Sequence, residues 1–349
     1  MYVVMGGGHI GQTVAWMLSN YGEVTVIDKR VVNISVSGVT VVQGGVDALA
    51  QLDNVDTVVS CLPYHQNLTL AEYVIPKGIN YIDLGGHVGT SAAINKLEGD
   101  GHVFTDMGLA PGWINIMAEQ LYHKVSKAEQ VTDVEMYVGG LPKSPYNALK
   151  YNTTWSMDGL INEYIDDCTV LKDGEIITRP GMSDLVEIPE YVSGRLTDPY
   201  DLGKRLDLEA FNTSGGACHS IQSMKDRGVT NCSYKTMRYA GHRDIIKLVY
   251  DKLGETALSR LFDPMPEGEE DIVYMHVNVN GKNVYAEKQF TIREKEEEGD
   301  SAMQMATATP VVALTLLMDE GVFTKSKLTY ADIGSLSGFN DAIDAVREI

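Results

Sequence analysis

Short apolar runs alternate with amphipathic stretches along the first third of the chain. Helical windows such as 11–20 and 66–77 lie between strands that we predict at 1–5, 23–28, 39–43, 55–61, 79–84 and 102–106. Regular alternation of strand and helix is typical of a parallel sheet that is wound on both faces by helices. The pattern therefore predicts a doubly wound α/β domain.

The pattern changes after residue 115. A helix is predicted to run to about 124, and the strand at 131–138 alternates apolar with polar positions. Asp173-Gly174 and Asn280-Gly281 are dipeptides typical of type I′ hairpin turns, and 270–292 is predicted to form one hairpin. We therefore predict an inserted α+β domain with a mixed or antiparallel sheet over 119–300. The helical pattern returns at about 301, and we expect 301–349 to complete the first domain, 1–118.

Length and charge limit the function classes. A chain of 349 residues is longer than most single domains, so two domains are expected. Its net charge of −20 argues against nucleic acid and anionic membranes as partners, because phosphate binding needs clustered Lys and Arg. The charged run at 293–300 is predicted to be a solvated loop.

Other features favour a cytoplasmic protein. The apolar run 311–318 is shorter than the roughly 20 residues that span a bilayer, and the chain starts directly in a strand without a signal-peptide pattern. Four scattered cysteines without a C-x-x-C pair suit free thiols in a reducing compartment. We expect no membrane association.

The turn after the first strand has the spacing G-x-G-x-x-G, with Gly6, Gly8 and Gly11. The first glycine allows a tight turn, the second lets the backbone approach a pyrophosphate, and the third lets the helix pack on the strand. The pyrophosphate would lie at the helix N-terminus, where unpaired N–H groups favour an anion. Asp28 closes the next strand, where a carboxylate accepts hydrogen bonds from ribose hydroxyls and repels a 2′-phosphate. The motif predicts a dinucleotide site and favours NAD over NADP, although the two basic residues after Asp28 could tolerate a phosphate.

Ligands of such sheets bind outside the carboxyl ends of the strands. Asp83 and Asp106 follow the fifth and sixth strands and would point toward the place of a nicotinamide, although each could simply cap a turn. The candidate dinucleotide contacts are Gly6, Gly8, His9, Ile10, Gly11, Asp28, Lys29, Asp47, Cys61, Leu62, Pro63 and Leu84.

Polar groups of the second domain cluster in the segments 151–164, 211–219 and 236–242. Arg238 could pair bidentately with a substrate carboxylate or form an inter-domain salt bridge. His219 or His242 could exchange a proton near neutral pH or be a hydrogen-bonded structural residue. The sequence shows no Ser-His-Asp arrangement. It also shows no metal-ligand spacing, so we predict no metal site.

Taken together, these segments resemble the saccharopine reductase and lysine 6-dehydrogenase superfamily over nearly the whole chain. The matching pieces are 6–11, 108–112, 137–142, the Trp155-Ser156 strand end, 159–164 and 238–242. The resemblance implies a Rossmann domain completed by the C-terminal helices, and an inserted substrate and dimerisation domain. It further implies a homodimer and chemistry at a C–N bond of a small-molecule substrate, an amino acid.

Two positions resemble the lysine 6-dehydrogenase branch rather than saccharopine reductases. Saccharopine reductases have an Asp where this chain has Ala110, and they tend to have a Cys where it has Val138. The lysine branch carries out NAD-dependent oxidative deamination of the lysine ε-amino group, and the resulting semialdehyde cyclises. The loop 212–219, however, lacks an Arg that is expected in some lysine dehydrogenases.

The resemblance and the residue chemistry together give a set of expected roles. Because a protonated amine cannot release hydride, a base must take its proton. The candidates for proton handling are Asp83, Glu163, His219 and His242, and those for substrate binding are Tyr151, Trp155, Thr213 and Arg238, with Arg238 on the α-carboxylate. Two alternatives stay open: a related enzyme that reductively couples an aldehyde with an amino acid, and a non-catalytic NAD-binding protein on the same scaffold.

Overall fold

The computed structural model describes residues 1–145, 147–189, 197–198, 201–205, 207–264, 270–293 and 300–348. Contacts divide the chain into two compact units, one made of 1–116 and 304–349 and the other of 117–303. Most of the charged run predicted to be a solvated loop, from 294 to 299, lies outside the described residues. The four cysteines are free thiols.

Six parallel strands form the sheet of the first unit. They pair in the order β3-β2-β1-β4-β5-β6 and comprise β1 (Tyr2–Met5), β2 (Val24–Asp28), β3 (Val39–Gln43), β4 (Thr57–Ser60), β5 (Asn80–Asp83) and β6 (Val103–Phe104). Helices α1 (His9–Ser19), α2 (Tyr64–Val74) and α3 (Val88–Ile94) connect them, with 3-10 turns at Val46–Gln51 and Ile75–Lys77. The predicted doubly wound Rossmann sheet is confirmed, and its strand order reverses between β1 and β4.

Burial explains why these strands could be predicted from the sequence. β1 and β4 are buried along their whole length, and a parallel sheet covered on both faces reads as continuous apolar runs. The core on one side of the sheet joins Val3, Met5 and Val58 to Leu70 of α2.

The second unit contains a mixed sheet in the order β10-β13-β14-β7-β15-β16. Its strands are β7 (Asp133–Pro142), β8 (Cys168–Lys172), β9 (Glu175–Arg179), β10 (Val186–Ile188), β13 (Leu208–Asn212), β14 (Asn231–Tyr239), β15 (Asp271–Asn280) and β16 (Tyr285–Arg293). β7 runs parallel to β14 and antiparallel to β15, and the hairpin β8–β9 attaches to β14. A separate two-stranded ribbon consists of β11 (Thr197–Asp198) and β12 (Asp201–Arg205). The predicted mixed sheet is confirmed.

The helices that follow the first unit's α3 are α4 (Trp113–Ser126), α5 (Met157–Ile165), α6 (Ser220–Asp226), α7 (His242–Leu253) and α8 (Glu255–Leu258). α9 (Ala302–Asp319), α10 (Tyr330–Gly334) and α11 (Gly338–Arg347) come last in the chain. By length and composition alone α9 is apolar enough to cross a membrane, but 72% of it is buried inside the fold, as in a core helix.

The two predicted hairpin turns have different outcomes. Asp173 and Gly174 join β8 to β9 with φ angles of 52° and 82°, the left-handed pair of a type I′ turn. The prediction at Asn280-Gly281 is wrong, because Asn280 pairs with Tyr285 and a four-residue loop lies between them. Gly281 has no positive φ.

A distant side chain explains the second loop. The carboxylate of Glu129 accepts hydrogen bonds from the backbone N–H groups of Asn283 (2.6 Å) and Val284 (2.5 Å). A Cβ atom at Gly281 would lie 2.4 Å from Glu129 Oε1. The glycine is therefore needed for close approach of this carboxylate rather than for a left-handed backbone.

Candidate functional site

The three glycines after β1 have different physical roles. Gly6 has φ of +101°, and a Cβ atom on it would lie 2.8 Å from the carbonyl oxygen of Cys61. A Cβ atom on Gly11 would lie 1.9 Å from the carbonyl oxygen of Gly6. A Cβ atom on Gly8 would meet no atom within 4 Å. Gly6 and Gly11 thus make the turn possible, whereas Gly8 keeps space beside it open.

The N-terminus of α1 is suited to an anion. Gly8 is its N-cap residue, no side chain caps the helix, and its first turn has no acidic residue. The first N–H groups of a helix have no partner within the helix, and together with the helix dipole they favour a phosphate. The open space at Gly8 and these N–H groups fit the pyrophosphate of a dinucleotide cofactor.

Asp28 lies beside this turn at the end of β2. Its carboxylate accepts hydrogen bonds from the backbone N–H groups of Gly7 and Arg30, both at 2.8 Å. Burial by itself would raise the pKa of Asp28, but these hydrogen bonds and the Arg30 charge lower it overall. A charged carboxylate at this place retains lone pairs that can accept from ribose hydroxyls.

The remaining predicted cofactor contacts are at strand ends or helix starts of the first unit. His9, Lys29, Asp47 and Pro63 are exposed, and Ile10, Cys61, Leu62 and Leu84 are half-buried. Cys61 and Leu62 lie against the glycine turn: a Cβ atom on Gly6 would lie 2.8 Å from the Cys61 carbonyl oxygen and 3.4 Å from Leu62 Cδ2.

Asp83 closes β5 and is 1% exposed. Its Oδ1 accepts hydrogen bonds from the N–H groups of Gly85 and Asp106, and its Oδ2 accepts from the Tyr81 hydroxyl, each at 2.9 Å. Burial and the nearby Asp106 charge raise the pKa of Asp83 to about 7, against the effect of these hydrogen bonds. Asp83 can therefore exchange a proton near neutral pH.

Asp106 follows β6 and has an unusual backbone. Its φ is +64°, a left-handed conformation that is rare outside glycine and common at functional sites. Its carboxylate is buried and accepts a hydrogen bond from the Ser91 hydroxyl at 2.8 Å. The positions of Asp83 and Asp106 at strand ends indicated this carboxylate pair in the sequence. Their hydrogen-bond partners, Tyr81 and Ser91, were not predicted.

In the second unit, Arg238 lies on β14 and is 3% exposed. Its Nε donates to the Tyr164 hydroxyl at 2.7 Å, and its Nη1 donates to the carbonyl oxygen of Met237 at 2.9 Å. The guanidinium lies 4.6 Å from the ring centroid of Tyr151. Its Nη2 is 3.9 Å from Glu163 Oε2, which is beyond hydrogen-bond distance.

A directed chain of hydrogen bonds fixes this guanidinium. His242 Nδ1 lies 2.9 Å from the carbonyl oxygen of Leu149, which can only accept, so Nδ1 carries the proton. His242 Nε2 must then accept from the Tyr164 hydroxyl, 3.0 Å away. This leaves the oxygen lone pairs of Tyr164 for Arg238 Nε. Burial and the Arg238 charge lower the pKa of His242 to about 3, so the ring is neutral.

Glu163 lies on α5 beside this chain. Its Oε1 accepts hydrogen bonds from the hydroxyls of Thr213 (3.0 Å) and Thr236. These bonds from β14 and the segment after β13 leave Oε2 on the side of Arg238.

The structure thus brings the buried Tyr151, Thr213, Arg238 and His242 and the half-buried Glu163 into one polar cluster, and Tyr164 is the member that sequence reasoning did not single out. The strand end predicted at Trp155-Ser156 is wrong, because Trp155 lies in the loop before α5 with 38% of its surface exposed. Its ring packs over Gly159. His219 precedes α6, where its Nδ1 is 3.2 Å from Cys218 Sγ.

Comparison with known proteins gives matches along most of the chain. A family model described as the saccharopine dehydrogenase NADP binding domain matches residues 2–106, and one described as the saccharopine dehydrogenase C-terminal domain matches 108–332. The mitochondrial alpha-aminoadipic semialdehyde synthase of Bos taurus is 28% identical over 134 residues, which is 36% of this chain. The match spans 14% of the length of that relative.

A similar solved structure is that of apo saccharopine dehydrogenase (L-Glu forming) from Saccharomyces cerevisiae. The match covers 98% of this chain and 95% of that one, with a TM-score of 0.73 and 17% sequence identity. At this identity the likeness is one of fold.

Proposed function

Because the chain belongs to the saccharopine dehydrogenase family, we propose that it is a nicotinamide-dependent oxidoreductase that oxidises an amino acid at a C–N bond. The reaction we propose is the oxidative deamination of the lysine ε-amino group to a semialdehyde that cyclises. The observation that carries the amino-acid assignment is the pairing of the buried Arg238 with the half-buried Glu163.

This pair suits an amino-acid zwitterion. Arg238 keeps Nη donors that no partner among the described residues uses, and a carboxylate can take two such donors at once. Glu163 Oε2 lies 3.9 Å from Arg238 and presents a negative group to an α-ammonium. A buried guanidinium that is only partly hydrogen-bonded is costly, and a ligand carboxylate offsets that cost. We therefore assign the α-carboxylate to Arg238 and the α-ammonium to Glu163.

Proton handling is assigned to Asp83. The reacting amine must lose a proton before its carbon can release hydride, and a pKa near 7 suits an acceptor at neutral pH. His242 is unsuited to that role, because it is neutral and both of its ring nitrogens are engaged. The bound nicotinamide supplies the hydride acceptor. Water then adds to the substrate iminium, and ammonia leaves.

The cofactor we propose is NAD. The matching family model is named for NADP, but the Asp28 carboxylate is charged and lies beside the glycine turn. A 2′-phosphate at the ribose would meet this negative charge, whereas ribose hydroxyls would donate to it.

Arg238→Lys tests the substrate assignment, because Lys keeps the charge and loses the bidentate fork. We expect kcat/KM for lysine to fall by about 10- to 100-fold, mainly through KM, as for a lost hydrogen bond to a charged group. Activity with 1,5-diaminopentane, which lacks the carboxylate, should change much less. The measurement is NADH formation across a range of substrate concentrations.

Arg227→Lys is the matched control. Arg227 pairs with the buried Glu119 through two bonds of 2.6 and 2.7 Å and lies 4.1 Å from the Tyr122 ring centroid. Its replacement should lower the melting temperature and leave KM for lysine unchanged. An Arg238→Lys variant with unchanged KM for lysine would remove the carboxylate assignment.

The second candidate is an enzyme that reductively couples an aldehyde with an amino acid. The likeness in fold to the L-Glu forming saccharopine dehydrogenase favours it. Such an enzyme should form NADH from saccharopine but release no ammonia from lysine alone. A non-catalytic protein on this scaffold would bind NADH and turn over neither substrate.

A further inference from the structure

Two aromatic side chains stack across neighbouring loops at the carboxyl edge of the first sheet. The rings of Tyr64 and His87 have centroids 5.4 Å apart and planes inclined by 21°. Tyr64 begins α2 after β4, and His87 precedes α3 after β5. Tyr64 is 37% exposed and His87 is also exposed, so the pair presents ring surface to solvent.

Local backbone geometry holds the two rings in place. His87 Nδ1 accepts a hydrogen bond from the backbone N–H of Thr90 at 3.2 Å, which caps α3. Gly86 has φ of +122°, and a Cβ atom on it would lie 3.3 Å from Tyr64 Cβ. The stack is therefore fixed by a helix cap and a close backbone approach.

The position of the stack relates it to the dinucleotide site. The loop after β4 touches the glycine turn through the Cys61 carbonyl group, and Tyr64 comes three residues later. In sheets of this topology the dinucleotide lies across the point where strand order reverses, here between β1 and β4. Asp28 on β2 marks the adenosine side, so the loops after β4 and β5 lie on the nicotinamide side.

We propose that the Tyr64–His87 stack is a binding surface for the nicotinamide ring of the dinucleotide. A flat, exposed aromatic surface suits offset stacking or edge contact with another planar ring. This inference goes beyond the proposed reaction, because it concerns the cofactor and holds for any substrate.

Binding measurements with NADH and ADP-ribose test the inference, because ADP-ribose lacks the nicotinamide ring but keeps both riboses and the pyrophosphate. Tyr64→Ala removes one ring, and His87→Asn removes the other while keeping a residue that caps helices well. We expect each variant to bind NADH about three- to tenfold more weakly, as for loss of an aromatic contact, and to bind ADP-ribose as the parent protein does. Titration calorimetry gives both dissociation constants without any amino-acid substrate.

Two controls sharpen the test. Tyr64→Phe keeps the ring and should retain NADH affinity. His65→Ala should also retain NADH affinity, because the ring it removes meets Tyr64 only at its edge, with centroids 5.8 Å apart and planes inclined by 84°. Equal weakening of NADH and ADP-ribose, or unchanged NADH affinity in His87→Asn, would overturn the proposal. Since no lysine is present, failure of the lysine assignment would leave these results unaffected.

Discussion

At the scale of single residues, the burial of Asp83 links the chemistry of the site to the stability of the fold. The pKa of this carboxyl is about 7 in the folded protein, above its ordinary value of 3.8. Between these values the folded state binds more protons than the unfolded state. Stability from this group is therefore lost as the pH rises from the lower to the higher value.

Asp83→Asn removes this titration. The parent protein should lose free energy of unfolding between about pH 5 and about pH 8, because it acquires a buried charge at Asp83 over that interval. The variant should not, so the free energy of unfolding of the variant minus that of the parent should be larger at pH 8 than at pH 5. Denaturant unfolding at both pH values measures the difference. Asp28→Asn is the control, since the lowered pKa of Asp28 places its titration below this interval and predicts no such trend. A difference in free energy of unfolding between Asp83→Asn and the parent protein that is equal at the two pH values would contradict this account.

Sequence reasoning found Arg238 and His242 but not the relation between them. A histidine near other polar residues suggests proton transfer, because its ordinary pKa lies near neutrality. The structure shows a buried, neutral ring whose role is set by Tyr164, 78 residues away in sequence, and by a backbone carbonyl group. Contacts between residues so distant in sequence depend on tertiary packing, and no local pattern records them.

At the scale of elements, one glycine of the turn serves folding and another serves ligand binding. Gly11→Ala would place a Cβ atom 1.9 Å from the Gly6 carbonyl oxygen, whereas Gly8→Ala meets nothing within 4 Å. Gly11 is therefore required by the fold of the turn. Gly8 is instead required for the close approach of the dinucleotide pyrophosphate.

The two substitutions should therefore differ in their effect on the free energy of unfolding, although both should weaken NADH binding. Gly8→Ala should cost less than about 1 kcal/mol of unfolding free energy, and Gly11→Ala about 1–3 kcal/mol through overpacking. Both should weaken NADH binding, because one blocks the pyrophosphate and the other displaces the helix. Chemical unfolding and NADH titration test this pair, and Gly8→Ala with parent-like NADH affinity would contradict the assigned role.

Elements with strong local signals were predicted best. The strands of the first sheet are continuous apolar runs, and the Asp173-Gly174 turn depends only on its own backbone. The Asn280-Gly281 turn failed because Glu129, more than 150 residues away, closes that loop with its carboxylate. Local propensity was overridden there by a tertiary hydrogen bond.

At the scale of the whole molecule, each unit carries one part of the proposed chemistry. The first unit has the glycine turn and the buried Asp83–Asp106 pair, and the second has the Arg238–Glu163 pair. The repeating strand and helix pattern predicted the first of these parts. For the second, the polar segments of the sequence indicated Arg238, whereas its pairing with Glu163 was not predicted, because a pair between a strand and a helix 75 residues apart has no distinctive sequence spacing.

The most direct test of the proposed reaction is a single assay of lysine with NAD and no other carbon substrate. The account predicts that NADH and ammonia form in equal amounts, and that NAD supports a higher kcat/KM than NADP. It would be contradicted if lysine gave neither product while saccharopine supported NADH formation.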